Sequence, residues 1–128
     1  MAEANLKREE ILVQTAKDSI VVINALTDIP GGRALNVSGL AEDVQVIHAG
    51  HVIIQNDSSK EVYPLGVSEG AYVSLPAGHS YLGVLKASVL RQDARAAIVT
   101  SGQINAAASP YPVTDSIKSG LPLIQFLY

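Results

Sequence analysis

The chain has 128 residues, of which 48% are hydrophobic, 16% are charged and only 5% are aromatic, and its formal net charge is −3 at pH 7. This length is sufficient for one domain with its own hydrophobic core, built here from Val, Ile, Leu and Ala. The absence of cysteine excludes a disulfide framework, a thiol nucleophile and a thiolate metal site. No basic patch is interleaved with aromatic residues, so we expect no nucleic acid as a direct partner.

The charged fraction is low for a soluble protein, which averages nearer a quarter. A surface with few charges on a small domain often indicates that a partner covers part of it. A compact β-rich domain with short turns is the alternative explanation, and the composition alone does not decide between the two.

Residues 1–19 are polar and charged, and their helical periodicity is poor. We interpret them as a flexible N-terminal arm that becomes ordered on a partner, with a frayed tail as the alternative. The first ten residues lack the apolar core of a signal peptide, and no apolar run is long enough to span a bilayer. We therefore expect synthesis in the cytoplasm and no membrane partner.

Residues 20–128 are predicted to form a single β-rich domain. The β-branched run 20–23 is the first predicted strand, and residues 29–32 (Ile-Pro-Gly-Gly) have the chemistry of a tight turn. Short strands are predicted over 33–37 and 44–48, and residues 67–71 are predicted to form a loop.

A β-hairpin is predicted where residues 51–55 and 61–65 flank a polar turn of Asn, Asp and Ser. Pro64 places the returning strand at the edge or the end of a sheet, because proline has no N–H to donate.

The C-terminal half, residues 75–128, is predicted to form two strands, a helix and a last strand. The two strands correspond to the apolar runs 82–89 and 96–105, separated by a polar break. Thr114 is the predicted N-cap of the short helix, with Ile117 and Leu121 on its buried face.

The sequence offers little that would support catalysis or metal binding. His48 and His51 lie in a strand-like segment broken by Gly50, and they are too few for a zinc site, so we expect ordinary strand or turn histidines. The adjacent carboxylates at 9–10 and 42–43 point apart on an extended chain and do not form an acid–base pair. Lys86, within an apolar strand, marks either a solvent face, which we favour, or a contact with an acidic partner. We expect no catalytic residue, no cofactor and no metal.

Several segments resemble head fibre and head decoration proteins of tailed bacteriophages, most closely those of phages that infect gut Bacteroidetes. The residues that carry the resemblance are 75–85 (LPAGHSYLGVL), 96–105 (AAIVTSGQIN), 111–118 (YPVTDSIK), 121–124 (LPLI), 29–35 (IPGGRAL) and 49–54 (AGHVII). The order of strand, strand, helix and strand is also similar, more distantly, to the lambda-type head decoration protein. The resemblance begins near residue 29 and does not include the arm.

The resemblance implies a mainly β (α+β) fold, a compact β-barrel or β-tulip-like decoration fold with one short C-terminal helix. It implies a virion protein that binds the outside of the capsid and stabilises the expanded shell, with the major capsid protein and itself, as a homotrimer, for partners. By position alone, the arm would contact the capsid through Leu6, Lys7, Arg8, Ile11 and Leu12.

Two other functions remain open from the sequence. A head fibre or a host or glycan adhesion module on the virion surface would share the compact β fold, but it predicts an aromatic-lined surface. An enzyme on a small barrel would need a convergent polar cluster, which these residues do not supply.

Overall fold

The structure is a computed structural model that describes residues 18–29, 31–40 and 43–128. Most of the described chain is in strands, and the helical segments are short. The helices are α1 (Asp18–Val21), a 3₁₀-helix (Ala106–Ala108) and α2 (Asp115–Gly120). The strands are β1 (Val22–Asp28), β2 (Arg33–Ala34), β3 (Val46–Ile47), β4 (Val52–Asn56), β5 (Val62–Pro64), β6 (Val67–Ser68), β7 (Ala71–Tyr72), β8 (His79–Leu85), β9 (Val89–Leu90), β10 (Arg95–Ala96), β11 (Ile98–Asn105) and β12 (Ile124–Leu127).

The main sheet has six strands in the order β1-β11-β8-β4-β5, with β12 also paired to β11. All neighbours are antiparallel except β11 and β12, which run parallel. The predicted hairpin of β4 and β5 is confirmed, and Pro64 lies in the edge strand β5, as its missing N–H requires.

The core lies on both faces of this sheet, because successive residues of its central strands point to opposite sides. On β4, Val52 and Ile54 pack into one cluster, with Ile104 and the α2 residue Ile117. Ile53 packs into a second cluster with other buried residues, namely Leu35, Ile47, Val62, Leu85, Ala96 and Ile98. A central strand buried on both faces explains why this run is apolar without polar alternation.

The C-terminal order of two strands, a short helix and a last strand is confirmed, but the strand bounds are corrected. The first strand is β8 rather than 82–89 and ends before Lys86, and the second, β11, begins at Ile98 rather than at residue 96. Thr114 caps α2, its hydroxyl accepting a hydrogen bond from the backbone N–H of Ile117 at 3.3 Å. Ile117 and Leu121 are buried, as the four-residue spacing predicts. The helix brings the chain back so that β12 lies beside β11, with Gly102 opposite Ile124.

The remaining strands form two-residue ribbons, β2 with β10, β3 with β9 and β6 with β7. The predicted strands over 33–37 and 44–48 are therefore shorter than expected. Residues 67–71, predicted to form a loop, instead belong to the β6–β7 hairpin. Its turn residues Glu69 and Gly70 have φ angles of 54° and 77°, which is the type I′ geometry that matches strand twist.

Two predictions are corrected. The run 20–23 is not all strand: Ile20 and Val21 complete α1, and the strand begins at Val22. Nor is the sheet a closed barrel, since β1 and β5 lie at opposite ends of the strand order and do not pair within the described residues. The β2–β10 ribbon touches the β5 edge only through an isolated bridge between Leu35 and Val62, which does not close the sheet into a barrel among the described residues. The mainly β fold with a short C-terminal helix is confirmed.

Candidate functional site

The first strand, β1, lies at one end of the strand order of the main sheet. Among the described residues, β1 pairs with β11 alone, so no described strand pairs with the backbone N–H and C=O groups of its other edge. Such an edge can pair with a strand of another chain unless charged residues, proline or a bulge prevents it.

The pairing of β1 with β11 has three register shifts, and two of them are bulges that leave an extra residue on β1. Val22 pairs with Ile104 and Asn24 with Gln103, which leaves Ile23 as an extra residue. Ala25 pairs with Gly102 and Thr27 with Ser101, which leaves Leu26 as another. Bulges redirect side chains and interrupt regular pairing, and they are common at sheet edges and beside functional sites.

The bulged residues are apolar and exposed. Leu26 is 70% exposed, Ile23 44%, and Ile20, at the end of α1, 50%. We call these three residues the β1 surface. Single exposed apolar residues are ordinary, but three at a constant spacing on one short segment indicate a contact site.

Close packing behind the strand fixes its position. Val21, next to the exposed Ile20, is buried, and its side chain fills the space beside Gly50 that a Cβ there would need. At Gly102, a Cβ would overlap the carbonyl oxygen of Asn24 and lie 3.2 Å from the Cα of Ala25. Because Gly102 has no side chain, β1 can approach β11 closely while its bulged residues stay outside.

The strand beside β1 carries an uncharged amide pair. Across β11, the amide of Gln103 donates to that of Gln125 at 3.0 Å. Charge appears at the end of β1, where Lys86 Nζ lies 3.5 Å from Asp28 Oδ2 with both side chains nearly half exposed. Lys86 therefore lies at the solvent face. An exposed pair of this kind contributes little to stability.

Of the two neighbouring histidines, His48 is exposed and His51 is buried. The Nε2–H of His51 donates to the carbonyl oxygen of Leu65 at 2.8 Å. Burial lowers the pKa of His51 to about 4, so the ring is neutral at pH 7. Its ring centroid lies 5.2 Å from that of Tyr72 and 5.8 Å from that of Tyr111, both in edge-on contact. These contacts explain why a histidine is buried at position 51. No group of three or more potential metal ligands occurs in the described part of the chain.

A polar cluster lies near the opposite edge of the sheet. Glu61 Oε2 accepts from the hydroxyl of Tyr63 at 2.6 Å and from the amide of Asn36 at 3.1 Å. These bonds hold the pKa of Glu61 below its usual value. The carboxylate is fully exposed, so it lacks the enclosure that acid–base catalysis uses. Of the carboxylates at 42–43, Asp43 is exposed, and residues 9, 10 and 42 lie outside the described residues.

The predicted capsid contacts are not placed by the structure: Leu6, Lys7, Arg8, Ile11 and Leu12 lie outside the described residues. The described chain begins at Asp18, directly before the β1 surface. Sequence reasoning missed Ile20, Ile23 and Leu26 because a β-branched run is typical of a buried strand. Asn24, Thr27 and Asp28, polar residues that follow that run, were the available signal that this strand is largely exposed.

Comparison of the chain with models of known families, with curated proteins and with solved structures found no match. Among the described residues, no helix has the length and apolar character needed to cross a membrane.

Proposed function

We propose that this chain is a head decoration protein of a tailed bacteriophage, which binds the outside of the capsid and stabilises the expanded shell. The observation that carries the proposal is the β1 surface, where Ile23 and Leu26 are exposed at two bulges on a sheet edge that pairs with no other described strand. The resemblance of the sequence to phage head proteins supplies the identity of the partner, the major capsid protein.

The mechanism is mass action. A protein that binds the expanded shell and not its unexpanded form stabilises the expanded form by an amount that grows with its free concentration. At a hundred times the dissociation constant, each site contributes about 2.7 kcal/mol. The β1 surface provides the rigid part of the contact, and the arm formed by residues 1–19 extends it across the shell.

A compact decoration fold and a homotrimer are parts of the same proposal. The order of the longer elements β8, β11, α2 and β12 supports the fold, because it is similar to the strand, strand, helix and strand order of the lambda-type protein, with the two-residue strands β9 and β10 between β8 and β11. A trimer would multiply three weak capsid contacts through avidity. Native mass spectrometry of the free protein measures its oligomeric state directly. A protein that is monomeric at micromolar concentration would contradict the proposed trimer.

The central experiment is co-sedimentation with expanded, undecorated capsids of the cognate phage. Leu26→Asp places a charge on the β1 surface, and we expect it to weaken capsid binding at least about tenfold, because burying an unpaired carboxylate is costly. Leu123→Asp is the matched control, since Leu123 is 72% exposed but precedes β12, on the other side of β11 from β1. The unmodified protein remaining in the supernatant would contradict the proposed function.

The arm is tested by deleting residues 2–15. We expect the shortened protein to unfold at an unchanged temperature and to bind capsids more weakly. A large fall in the unfolding temperature would show instead that the arm belongs to the core.

A further inference from the structure

An apolar cavity of about 280 Å³ lies beside the β6–β7 hairpin. Its aliphatic lining consists of Leu40, Val44, Val46, Ile47, Val67 and Val73. His48, His51 and Tyr111 complete most of the wall. None of the lining residues belongs to β1, so a ligand in this cavity would be independent of the proposed function.

His51 lines this cavity, and its ring carries one hydrogen-bond acceptor. A carbonyl oxygen can only accept, so the 2.8 Å contact with Leu65 fixes the proton on Nε2. In the neutral ring, Nδ1 then carries a lone pair, and no described residue donates a hydrogen bond to it. Tyr72, in edge-on contact with the same ring, accepts from the backbone N–H of Val52 at 3.2 Å, which helps to hold the ring pair in place.

The size and the walls of the cavity indicate the class of ligand. A dry cavity of about 150 Å³ in a protein core holds benzene, so a volume near 280 Å³ accommodates one or two fused rings. The rings of His51 and Tyr111 lie 5.8 Å apart, edge-on, and offer the aromatic contacts that a planar ligand prefers. Ligand pockets commonly combine apolar walls with a few polar groups that fix the orientation of the ligand.

We propose that this cavity binds a small aromatic molecule that carries one hydrogen-bond donor, of the phenol or indole class, with the donor directed to Nδ1 of His51. The aliphatic walls hold the ring system. A ring of the same shape without a donor leaves Nδ1 unpaired, and it therefore binds more weakly.

Indole is a suitable probe because the chain contains no tryptophan, so indole fluorescence can be excited apart from the five tyrosines. Titrating the full-length protein with indole is expected to give a saturable signal with one site per chain. Benzofuran has the same bicyclic shape but no N–H, and we expect it to displace indole with about tenfold weaker affinity, the discrimination that one hydrogen bond provides.

Three variants test the location of the site and the role of the acceptor. Val67→Phe fills the cavity and is expected to abolish indole binding, whereas Leu26→Phe changes a similarly small apolar residue on the β1 surface and should leave binding unchanged. His51→Phe removes the acceptor and should make indole and benzofuran bind equally. If His51→Phe does not fold, the comparison of the two ligands on the unmodified protein tests the acceptor by itself.

Three results would overturn the proposal. They are an indole signal that does not saturate up to the solubility limit, equal affinity for indole and benzofuran in the unmodified protein, and unchanged indole binding by Val67→Phe.

Discussion

Acidification is expected to destabilise this protein through His51. Burial lowers the pKa of this residue to about 4, against an ordinary value of 6.5, while its bond to Leu65 opposes the shift and the nearby His48 adds to it. Each factor of ten in proton affinity corresponds to about 1.4 kcal/mol, so the unfolded state gains about 3 kcal/mol relative to the folded state between pH 7 and pH 4.

The direction of the stability change depends on whether the folded or the unfolded state binds the proton at the higher pH. The unfolded chain takes up a proton as the pH falls through 6.5, whereas the folded protein does so only near pH 4. The stabilisation is therefore fully present above pH 6.5, is lost progressively down to pH 4 and does not change further below that. A loss of this size is a large fraction of the 5–15 kcal/mol that typically stabilises a domain.

The assay is urea unfolding followed by far-ultraviolet circular dichroism at pH 7, 6, 5 and 4. His51→Gln keeps a donor for the Leu65 carbonyl but has no titration in this range, so its stability should fall about 3 kcal/mol less than that of the unmodified protein. His48→Gln, at an exposed position, removes only the smallest of the three contributions to the His51 pKa, so its pH profile should stay close to that of the unmodified protein. Parallel pH profiles for the unmodified protein and His51→Gln would refute the reasoning.

Three further predictions concern stability, each measured by urea unfolding at pH 7. Thr114→Ala removes the cap that accepts from Ile117 and should cost about 1 kcal/mol, whereas Thr114→Ser should cost little; equal losses would contradict a capping role. Glu69→Asn should add about 1 kcal/mol, since Glu69 has φ 54° and asparagine tolerates that region better; a loss would show that the carboxylate has another role. Gly120→Ala would overlap the ring of Tyr81 and should cost about 1–3 kcal/mol, and a smaller cost in a Tyr81→Ala background would confirm the contact.

The elements predicted well are those governed by neighbouring residues. The hairpin of β4 and β5 follows from two apolar runs around a polar turn, and α2 follows from the cap at Thr114 and the spacing of Ile117 and Leu121. In each case the hydrogen bonds and the buried face are specified within a few residues, so local pattern and structure agree.

The elements predicted poorly depend on distant partners. β3 pairs with β9, more than 40 positions away, and β2 pairs with β10, about 60 positions away, and each ribbon is only two residues long. Periodicity cannot be measured over two residues, so neither the length nor the partner of such strands can be read from the sequence. The bulges of β1 have the same origin, because a bulge is a mismatch in pairing with β11 and exists only once both strands are in place.

The burial of His51 and the exposure of Leu26 reverse what their residue types suggest. Leucine is usually inside and histidine is intermediate, but here Leu26 is 70% exposed and His51 only 5%. The first reversal results from a bulge and the second from a backbone carbonyl that lies within hydrogen-bond reach of the ring. Both features belong to tertiary structure, which is why the candidate surface and the cavity were found only in the structure.

The bulges of β1 have a competing explanation, which the proposed experiments separate. Proteins often bulge an edge strand to prevent it from pairing with other chains, and they usually reinforce this with lysine or proline at the edge. Here the two bulged residues are Ile23 and Leu26. Their exposed apolar side chains favour contact with another molecule instead of preventing it. Either explanation predicts that Leu26→Asp improves solubility, but protection alone predicts unchanged capsid binding. A loss of capsid binding by Leu26→Asp that Leu123→Asp does not share therefore distinguishes a contact surface from a protected edge.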